Sequence, residues 1–123
     1  MIYSEKEYKL CYFIDAKGDE PVKEYIKLLN KKERAKVLIY LEFLKEHDDY
    51  LDEPYSRHID GKIRELRVDF ARNRHRIFYF TFTGEKIVLL SAFQKKTPKT
   101  PRKEIEKAIT NYNYFLKTKN NYD

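Results

Sequence analysis

The chain has 123 residues and a formal net charge of +6; 41% of its residues are hydrophobic and 15% are aromatic. This length supports one domain with one core, and the aromatic content argues against disorder. A lone cysteine, Cys11, cannot form an internal disulfide, and no apolar stretch approaches the roughly 20 residues that span a bilayer. We therefore predict a single domain over residues 1–123 in a cytoplasmic protein without membrane contact.

The positive charge is concentrated in one part of the sequence. Residues 57–103 carry 13 Lys/Arg and 4 Asp/Glu, a net charge of +9, whereas the remainder of the chain carries a net charge of −3. A basic segment of this kind is typical of a surface that binds a polyanion. The same charge also fits ordinary solvated lysines and arginines, so it indicates an anion without naming a reaction.

The first part of the chain predicts one strand and one helix. Residues 8–14 are apolar and aromatic and end at a turn-like segment, which favours a short strand. Asp19 can cap a helix, and Pro21 is tolerated in the first helical turn. Spacings of three and four residues predict the apolar face of this helix, which comprises Val22, Tyr25, Ile26 and Leu29.

A second helix is predicted directly after the first. Asn30 followed three residues later by Glu33 is typical of a helix N-terminus, and the helical spacing continues to about Glu46. The residues predicted to point inward are Val37, Leu38, Leu41 and Leu44. The short connection between the two segments predicts a hairpin of two helices.

Three strands are predicted after a loop over residues 47–60. Residues 62–70 alternate, so that one face is apolar and the other polar. The apolar face comprises Leu66, Val68 and Phe70, and the polar face Glu65, Arg67 and Asp69. Residues 75–83 are rich in aromatic and branched side chains, and residues 86–93 follow after a tight turn. These short connections predict an antiparallel meander.

A final helix is predicted from Thr100 as N-cap and Pro101 as first helical residue. Its apolar face is predicted to comprise Ile105, Ala108, Ile109, Tyr112 and Leu116, and residues 117–123 are predicted to fray. The element order is therefore β-α-α-β-β-β-α, an α+β fold. In it, an antiparallel sheet packs against an N-terminal helical hairpin and a C-terminal helix, with the helices gathered on one side.

Two groups of basic residues are candidates for chemistry. The first lies in the hairpin between the first two strands of the meander and comprises Arg64, Arg67, Arg72, Arg74, His75 and Arg76. Arginine suits bidentate contacts to phosphate, although an arginine at the exposed edge of a strand needs no ligand. Because neighbouring residues of a strand point to opposite faces, His75 and Arg76 are not expected to share one site.

The second group lies where the last strand leads into the final helix. Lys95, Lys96 and Lys99 precede the predicted helix start at Thr100, where free backbone N–H groups attract anions. This arrangement predicts a phosphate site, although a solvated basic turn has the same composition. The three histidines lack metal-ligand spacing, and the acidic residues Asp48, Asp49, Asp52 and Glu53 do not match a calcium loop. We predict no metal or other cofactor.

Taken together, these segments resemble a known toxin family. The segments on which the resemblance rests lie within residues 60–108 and are Arg64-Glu65-Leu66-Arg67, His75-Arg76-Ile77-Phe78-Tyr79-Phe80 and Phe93-Gln94-Lys95-Lys96-Thr97-Pro98. They are similar to the HigB-like, phage-derived branch of the RelE superfamily, the toxins of type II toxin–antitoxin pairs. The resemblance implies a RelE-like fold and a ribosome-dependent mRNA endonuclease that cuts RNA without a metal, through the ribose 2′-OH.

The resemblance also implies roles for individual residues and partners. Arg76, Lys96, Lys95 and Arg67 match the catalytic cations, and Arg64, Arg74, His75 and Lys99 are expected to bind RNA phosphate. No tyrosine stands at residues 97–104, where the family's late catalytic tyrosine is expected. The general base therefore stays open among Lys95, Lys96 and His75. The implied partners are a HigA-like helix-turn-helix antitoxin encoded nearby, the ribosome and mRNA, with operator DNA reached only through the antitoxin.

Two other functions fit the same basic segment. A non-catalytic RNA- or DNA-binding module could use these cations, with aromatic residues stacked on bases. An interaction protein could use the basic face to meet an acidic partner. Cleavage of mRNA in a translating extract distinguishes the toxin from both.

Overall fold

A computed structural model describes residues 8–47 and 53–122. The elements are β1 (Lys9–Tyr12), α1 (Pro21–Lys27), α2 (Lys31–His47), β2 (Ser56–Asp60), β3 (Ile63–Phe70), β4 (Asn73–Phe82), β5 (Lys86–Gln94) and α3 (Arg102–Thr118), followed by a 3₁₀ turn at Lys119–Asn121. The acidic residues Asp48, Asp49 and Asp52, considered above as a cation site, lie outside the described residues. The α+β class is confirmed, but the predicted element order is incomplete because β2 lies within the segment predicted as a loop.

The strands form one mixed sheet in the order β1-β5-β4-β3-β2. The predicted antiparallel meander of β3, β4 and β5 is confirmed by their registers. The sheet as a whole is not antiparallel, because β1 pairs in parallel with β5, with Cys11 opposite Val88. At the other edge β2 pairs antiparallel with β3. A parallel partner cannot be reached by a tight turn, and here the connection to the rest of the sheet carries α1 and α2.

Helices cover both faces of the sheet, not one face as predicted. The α1–α2 face is the sheet face that bears Leu66, Ile77 and Leu89, which cluster with Val22 and Val37 of the two helices. The α3 face is the opposite face, and its apolar part is a second cluster that includes Phe78, Phe80, Val88, Ala108 and Phe115. Alternation along each strand produces this division, so neighbouring residues of one strand serve two different cores.

The start of α2 follows the predicted capping pattern. The Asn30 side-chain oxygen accepts a hydrogen bond from the Glu33 backbone N–H at 2.9 Å, and the Asn30 amide donates to the Glu33 carboxylate at 2.6 Å. Val37, Leu41 and Leu44 are buried as predicted. Leu38 is not, since 44% of it is exposed, because it lies one residue beyond the buried stripe of the helix. The predicted hairpin is thus matched only in part, with α1 limited to seven residues.

The C-terminal helix differs from the prediction at both ends. Pro101, not Thr100, occupies the N-cap position, and its ring has no acceptor to cap the helix. The Thr100 hydroxyl donates to Glu65 at 3.2 Å. Phe115 is buried where Leu116 was predicted, and Leu116 is 37% exposed. Residues 117–123 were predicted to fray; within them, the Tyr122 hydroxyl lies 2.6 Å from the Ile14 backbone nitrogen, which donates to it.

Candidate functional site

The α3 face carries a polar region at the end of the sheet where β5 leaves it. Arg67 of β3 lies directly opposite Arg76 of β4, and Arg76 lies opposite Phe93 of β5. Directly opposite residues of antiparallel strands point to the same face, so the two arginines are neighbours. Arg67 and Arg76, both predicted as catalytic, are thereby brought to one place.

Arg76 is the most deeply buried of these cations, with only 2% of its surface exposed. One terminal nitrogen donates to the Asp69 carboxylate at 2.7 Å and to the His75 carbonyl at 3.0 Å. A buried charge is strongly disfavoured unless it is paired, and Asp69, itself 61% exposed at its side chain, supplies that pairing. The guanidinium is therefore held in place at the boundary between the core and solvent.

Glu65 lies at the centre of the same region and is completely buried. Its carboxylate lies 3.4 Å from Nε of Arg57, which is opposite it on β2, and accepts a hydrogen bond from Thr100 ahead of α3. Glu65 was predicted on the polar face of an alternating strand, where exposure is usual. It is buried because α3 and its connector cover that face, which the sequence of β3 alone does not reveal.

Lys95 completes the cluster. Its backbone N–H donates to the Arg74 carbonyl at 2.8 Å, which extends the β4–β5 pairing beyond the strand, and the residue is only 8% exposed. Burial lowers the pKa of the Lys95 ammonium; Glu65 opposes this, whereas Arg76, Arg57 and Arg67 lower the pKa further. Lys95 can therefore lose its proton more readily than an ordinary lysine.

Buried side-chain atoms without a hydrogen-bond partner mark this region. Over residues 8–47 and 53–122, four buried side-chain polar atoms lack a hydrogen-bond partner: Arg57 Nε, Glu65 Oε1, Arg76 Nε and Ser91 Oγ. The first two form the 3.4 Å ion pair, and Ser91 lies opposite Phe78 on the α3 face. Buried polar groups are paired in nearly all proteins. Arg76 Nε and Ser91 Oγ, which are outside that ion pair, both lie on the α3 face and point to a site that a polar ligand can complete.

His75 lies on the other face and outside this cluster. Its ring nitrogens contact the Tyr25 hydroxyl at 2.7 Å and the Glu33 carboxylate at 2.5 Å. Asn73 donates to the same carboxylate at 3.1 Å. Burial, followed by the charge of Glu33, raises the pKa of Tyr25 to about 12, and the bond to His75 is the main cause that lowers the pKa of Glu33. The predicted separation of His75 from Arg76 is confirmed.

The remaining predicted residues are spread around the site. Arg64 donates to Ser56, which contacts Tyr79 of the α1–α2 core, so Arg64 does not join Arg76. Arg74 is exposed at the end of β4, opposite Asp69 and thus on the same face as Arg76. Lys96 and Lys99 are exposed beyond β5. The structure therefore groups some of the predicted cations and separates others, and their roles stay predictions.

Sequence reasoning did not select Arg57, Glu65, Asp69 or Ser91. Arg57 lay in a segment predicted as a loop, and Glu65 and Asp69 were assigned to a solvated strand face. The available signal was that Glu65 and Asp69 share the period of Arg67, which places them on one face whatever covers it. Within the described part of the chain, no group of three or more His, Cys, Asp or Glu side chains could hold a metal ion, and no helix there is long and apolar enough to cross a membrane.

Comparison with known families bears on this site. A family model described as "Phage derived protein Gp49-like (DUF891)" matches residues 24–113. The chain belongs to this family. The family is one of RelE/HigB-like toxins, and the match spans β2 to β5 together with α2 and most of α3. No curated protein matches the chain. The Gp49-like assignment is consistent with a toxin of a toxin–antitoxin pair at the level of the family.

Proposed function

We propose that this Gp49-like protein is the toxin of a type II toxin–antitoxin pair of the HigB-like branch, with a RelE-like fold, and cleaves mRNA on the ribosome. The observation that carries the proposal is the cluster on the α3 face. Among the described residues, Arg57, Arg67, Arg76 and Lys95 stand there against the carboxylates of Glu53, Glu65 and Asp69. Buried polar atoms in the cluster lack hydrogen-bond partners. Like charges held together raise the free energy of the fold, which an anionic substrate would offset.

The substrate class follows from these groups. A phosphodiester offers oxygens that accept hydrogen bonds from guanidinium groups, and Arg76 retains an Nε donor without a partner. Arg67, whose side chain is 27% exposed, can contact an incoming phosphate without rearranging the core. The exposed cations Arg74, Lys96 and Lys99 extend the positive surface around the site and suit the backbone of a longer RNA.

The chemistry uses the ribose 2′-OH as nucleophile on the adjacent phosphorus. The 2′ oxygen forms a bond to phosphorus, the bond to the 5′ oxygen breaks, and the products are a 2′,3′-cyclic phosphate and a 5′-OH. Arg76 and Arg67 stabilise the charge that develops on the phosphoryl oxygens. Lys95, with its lowered pKa, takes the proton from the 2′-OH. The proton for the leaving oxygen comes from water or from ribosomal RNA, which also aligns the substrate.

One observation favours a second candidate. Arg76 is already paired with Asp69 at 2.7 Å, as in an arginine that only supports the structure of a basic face. On this basis the alternative is a non-catalytic RNA-binding module that uses the exposed cations. Such a module binds RNA but leaves every phosphodiester bond intact.

The test is a translating extract supplied with a defined mRNA. Purified protein is added, and new 5′ ends are mapped on the mRNA with and without an inhibitor of initiation. We expect cuts that require translation and carry a 5′-OH. Binding of ribosomes without any cut at stoichiometric protein supports the RNA-binding module instead. Cuts that appear equally on untranslated RNA contradict the ribosome-dependent part of the proposal.

A further inference from the structure

An exposed apolar surface lies on α2, on the other side of the sheet from the cluster just described. Ile39 and Phe43 are 54% and 50% exposed, and Tyr55, which precedes β2, is 49% exposed. With Leu38 and Tyr40 they form what we call the α2 outer surface. Single exposed apolar residues are ordinary, but a contiguous group of this kind marks an interaction site.

The α2 outer surface is concave. Tyr40, Phe43 and Tyr55 line a cavity of about 300 Å³ whose lining also includes the buried Leu66. The Tyr40 ring meets the rings of Phe43 and Tyr55 edge-on, with centroids 6.4 Å and 6.1 Å apart. A second hollow of about 260 Å³ adjoins it through Phe43. The two hollows share Phe43 as a lining residue, and we refer to them together as the groove.

The groove has an acidic rim. Glu42 and Glu46 line the second hollow beside Leu38, Ile39 and Phe43, and their side chains are 60% and 54% exposed. Among the described residues, Glu42 pairs with Lys45 and Glu46 with His47 of the same helix, at 3.6 Å and 3.7 Å, and such exposed pairs contribute little. The two carboxylates belong to the second hollow, whereas Lys36 lies over the Tyr40 ring of the first, 5.7 Å from its centroid.

The charge and shape of the groove narrow the choice of occupant. A nucleic acid or an anionic membrane is repelled by Glu42 and Glu46. In a two-fold dimer the same patch faces itself, so these carboxylates would oppose one another. An amphipathic helix that presents apolar anchors at helical spacing and Lys or Arg beside them matches both the groove and its rim.

We infer that the α2 outer surface is the docking groove for a basic-flanked amphipathic helix of the partner antitoxin. The class of the partner rests on the proposed function, whereas the groove and its charge do not. The sheet lies between this groove and Arg76, because Leu66 belongs to the α1–α2 core and Arg76 to the α3 face. The docked helix therefore leaves the α3 face uncovered and holds the antitoxin on the opposite side of the sheet.

The test measures binding, not cleavage, so an inactive enzyme does not disturb it. The product of the adjoining reading frame is purified, and its affinity for this chain is measured by titration calorimetry. For Ile39→Ser/Phe43→Ser we expect affinity to fall by about 30-fold or more, the loss typical of interface anchors. Both residues are half exposed, so the melting temperature is expected to stay close to that of the wild type.

A charge reversal tests the rim separately. Glu42→Lys/Glu46→Lys is expected to weaken binding and to reduce its dependence on salt. Glu85→Lys/Glu106→Lys changes the net charge equally at exposed positions elsewhere and serves as the matched control with near-wild-type affinity. Equal losses in the two pairs would mean that only net charge matters, which contradicts a localised groove.

Three other outcomes overturn the inference. Unchanged partner affinity in Ile39→Ser/Phe43→Ser together with a large fall in melting temperature assigns the surface to a segment of the chain itself. Unchanged partner affinity together with loss of self-association in ultracentrifugation assigns it to a second copy. Loss of affinity in Arg67→Ala/Arg74→Ala, with none in the α2 variants, places the partner on the α3 face.

Discussion

The two faces of the sheet handle buried polar groups in opposite ways. On the α1–α2 face, His75 contacts Tyr25 and Glu33, and the Glu33 carboxylate also accepts hydrogen bonds from Asn30 and Asn73. On the α3 face, the four buried atoms named above lack hydrogen-bond partners. A satisfied network fixes a fold, whereas an unsatisfied one keeps donors and charge available for a ligand. His75 belongs to the satisfied network on the α1–α2 face. Arg76, the next residue in the sequence, belongs to the unsatisfied network on the α3 face.

Removing Glu33 is expected to disrupt the hydrogen-bonded network on the α1–α2 face. Glu33→Ala leaves His75 without its carboxylate partner and removes the contact that Asn30 makes at the start of α2, so we expect a loss of about 3–5 kcal/mol in the free energy of unfolding. Urea titration at neutral pH measures this loss. Glu46→Ala, at an exposed position of the same helix, is the control. Equal stability of the two variants would show that the network does not hold the fold.

Removing Arg76 is expected to affect activity and leave the fold in place. Arg76→Ala takes away one contact to the charge developing on phosphate, worth roughly 2.7–4 kcal/mol or about 100- to 1000-fold in the cleavage rate. Cleavage in a translating extract is measured beside thermal melting. A variant that cuts at the wild-type rate contradicts the site. A variant that melts far below the wild type indicates that the pair with Asp69 is structural.

Lys95→Arg separates charge from proton transfer on the α3 face. Arginine keeps the positive charge but cannot lose its proton near neutral pH, so we expect cleavage to fall by about 100-fold or more with ribosome binding unchanged. Single-turnover cleavage and a sedimentation assay measure the two quantities. Lys96→Arg, at an exposed neighbouring position, is the control. Full activity of Lys95→Arg would assign the general base elsewhere.

Acid is expected to weaken the network around Glu33 on the α1–α2 face. The folded protein lowers the pKa of Glu33 below its ordinary value of 4.5, so ionised Glu33 stabilises the fold above about pH 4.5. This contribution is lost as the pH falls through the lower, folded-state pKa. The stability difference between wild type and Glu33→Gln, measured by urea titration from pH 7 to pH 3, is therefore expected to shrink below pH 4.5. A difference that grows on acidification contradicts the assignment.

The smallest effect is expected at the edge of the basic surface. Lys99 is exposed on the connector ahead of α3, and an exposed charge contributes no more than about 1 kcal/mol. Lys99→Ala should therefore reduce cleavage by about fivefold at most, with a correspondingly weaker salt dependence of ribosome binding. The same assays at two salt concentrations measure both. A loss of cleavage as large as that of Arg76→Ala would indicate that the site lies farther out from the sheet than proposed.

Local rules predicted much of this molecule. The alternation of β3 and β4 predicted which residues share a face, and the Asn30–Glu33 spacing predicted the start of α2. The rules failed where distant segments decide the environment. Segment 56–60 shows no clear alternation, and it becomes a strand because β3 offers it an edge. Thr100 fits a helix cap by composition, but Pro101 holds the N-cap position, and the Thr100 hydroxyl donates to the buried Glu65 of β3.

The sequence by itself determined which residues within one strand share a face: the period of β3 groups Arg67 with Glu65 and Asp69, and that of β4 separates His75 from Arg76. Only the tertiary structure decided which of these groups are buried and paired. Glu65 and Lys95 lose water because elements remote in sequence converge on the α3 face, and a buried ionisable group takes its character from whatever surrounds it. The parallel pairing of β1 with β5 is also a long-range contact, and no local pattern encodes it.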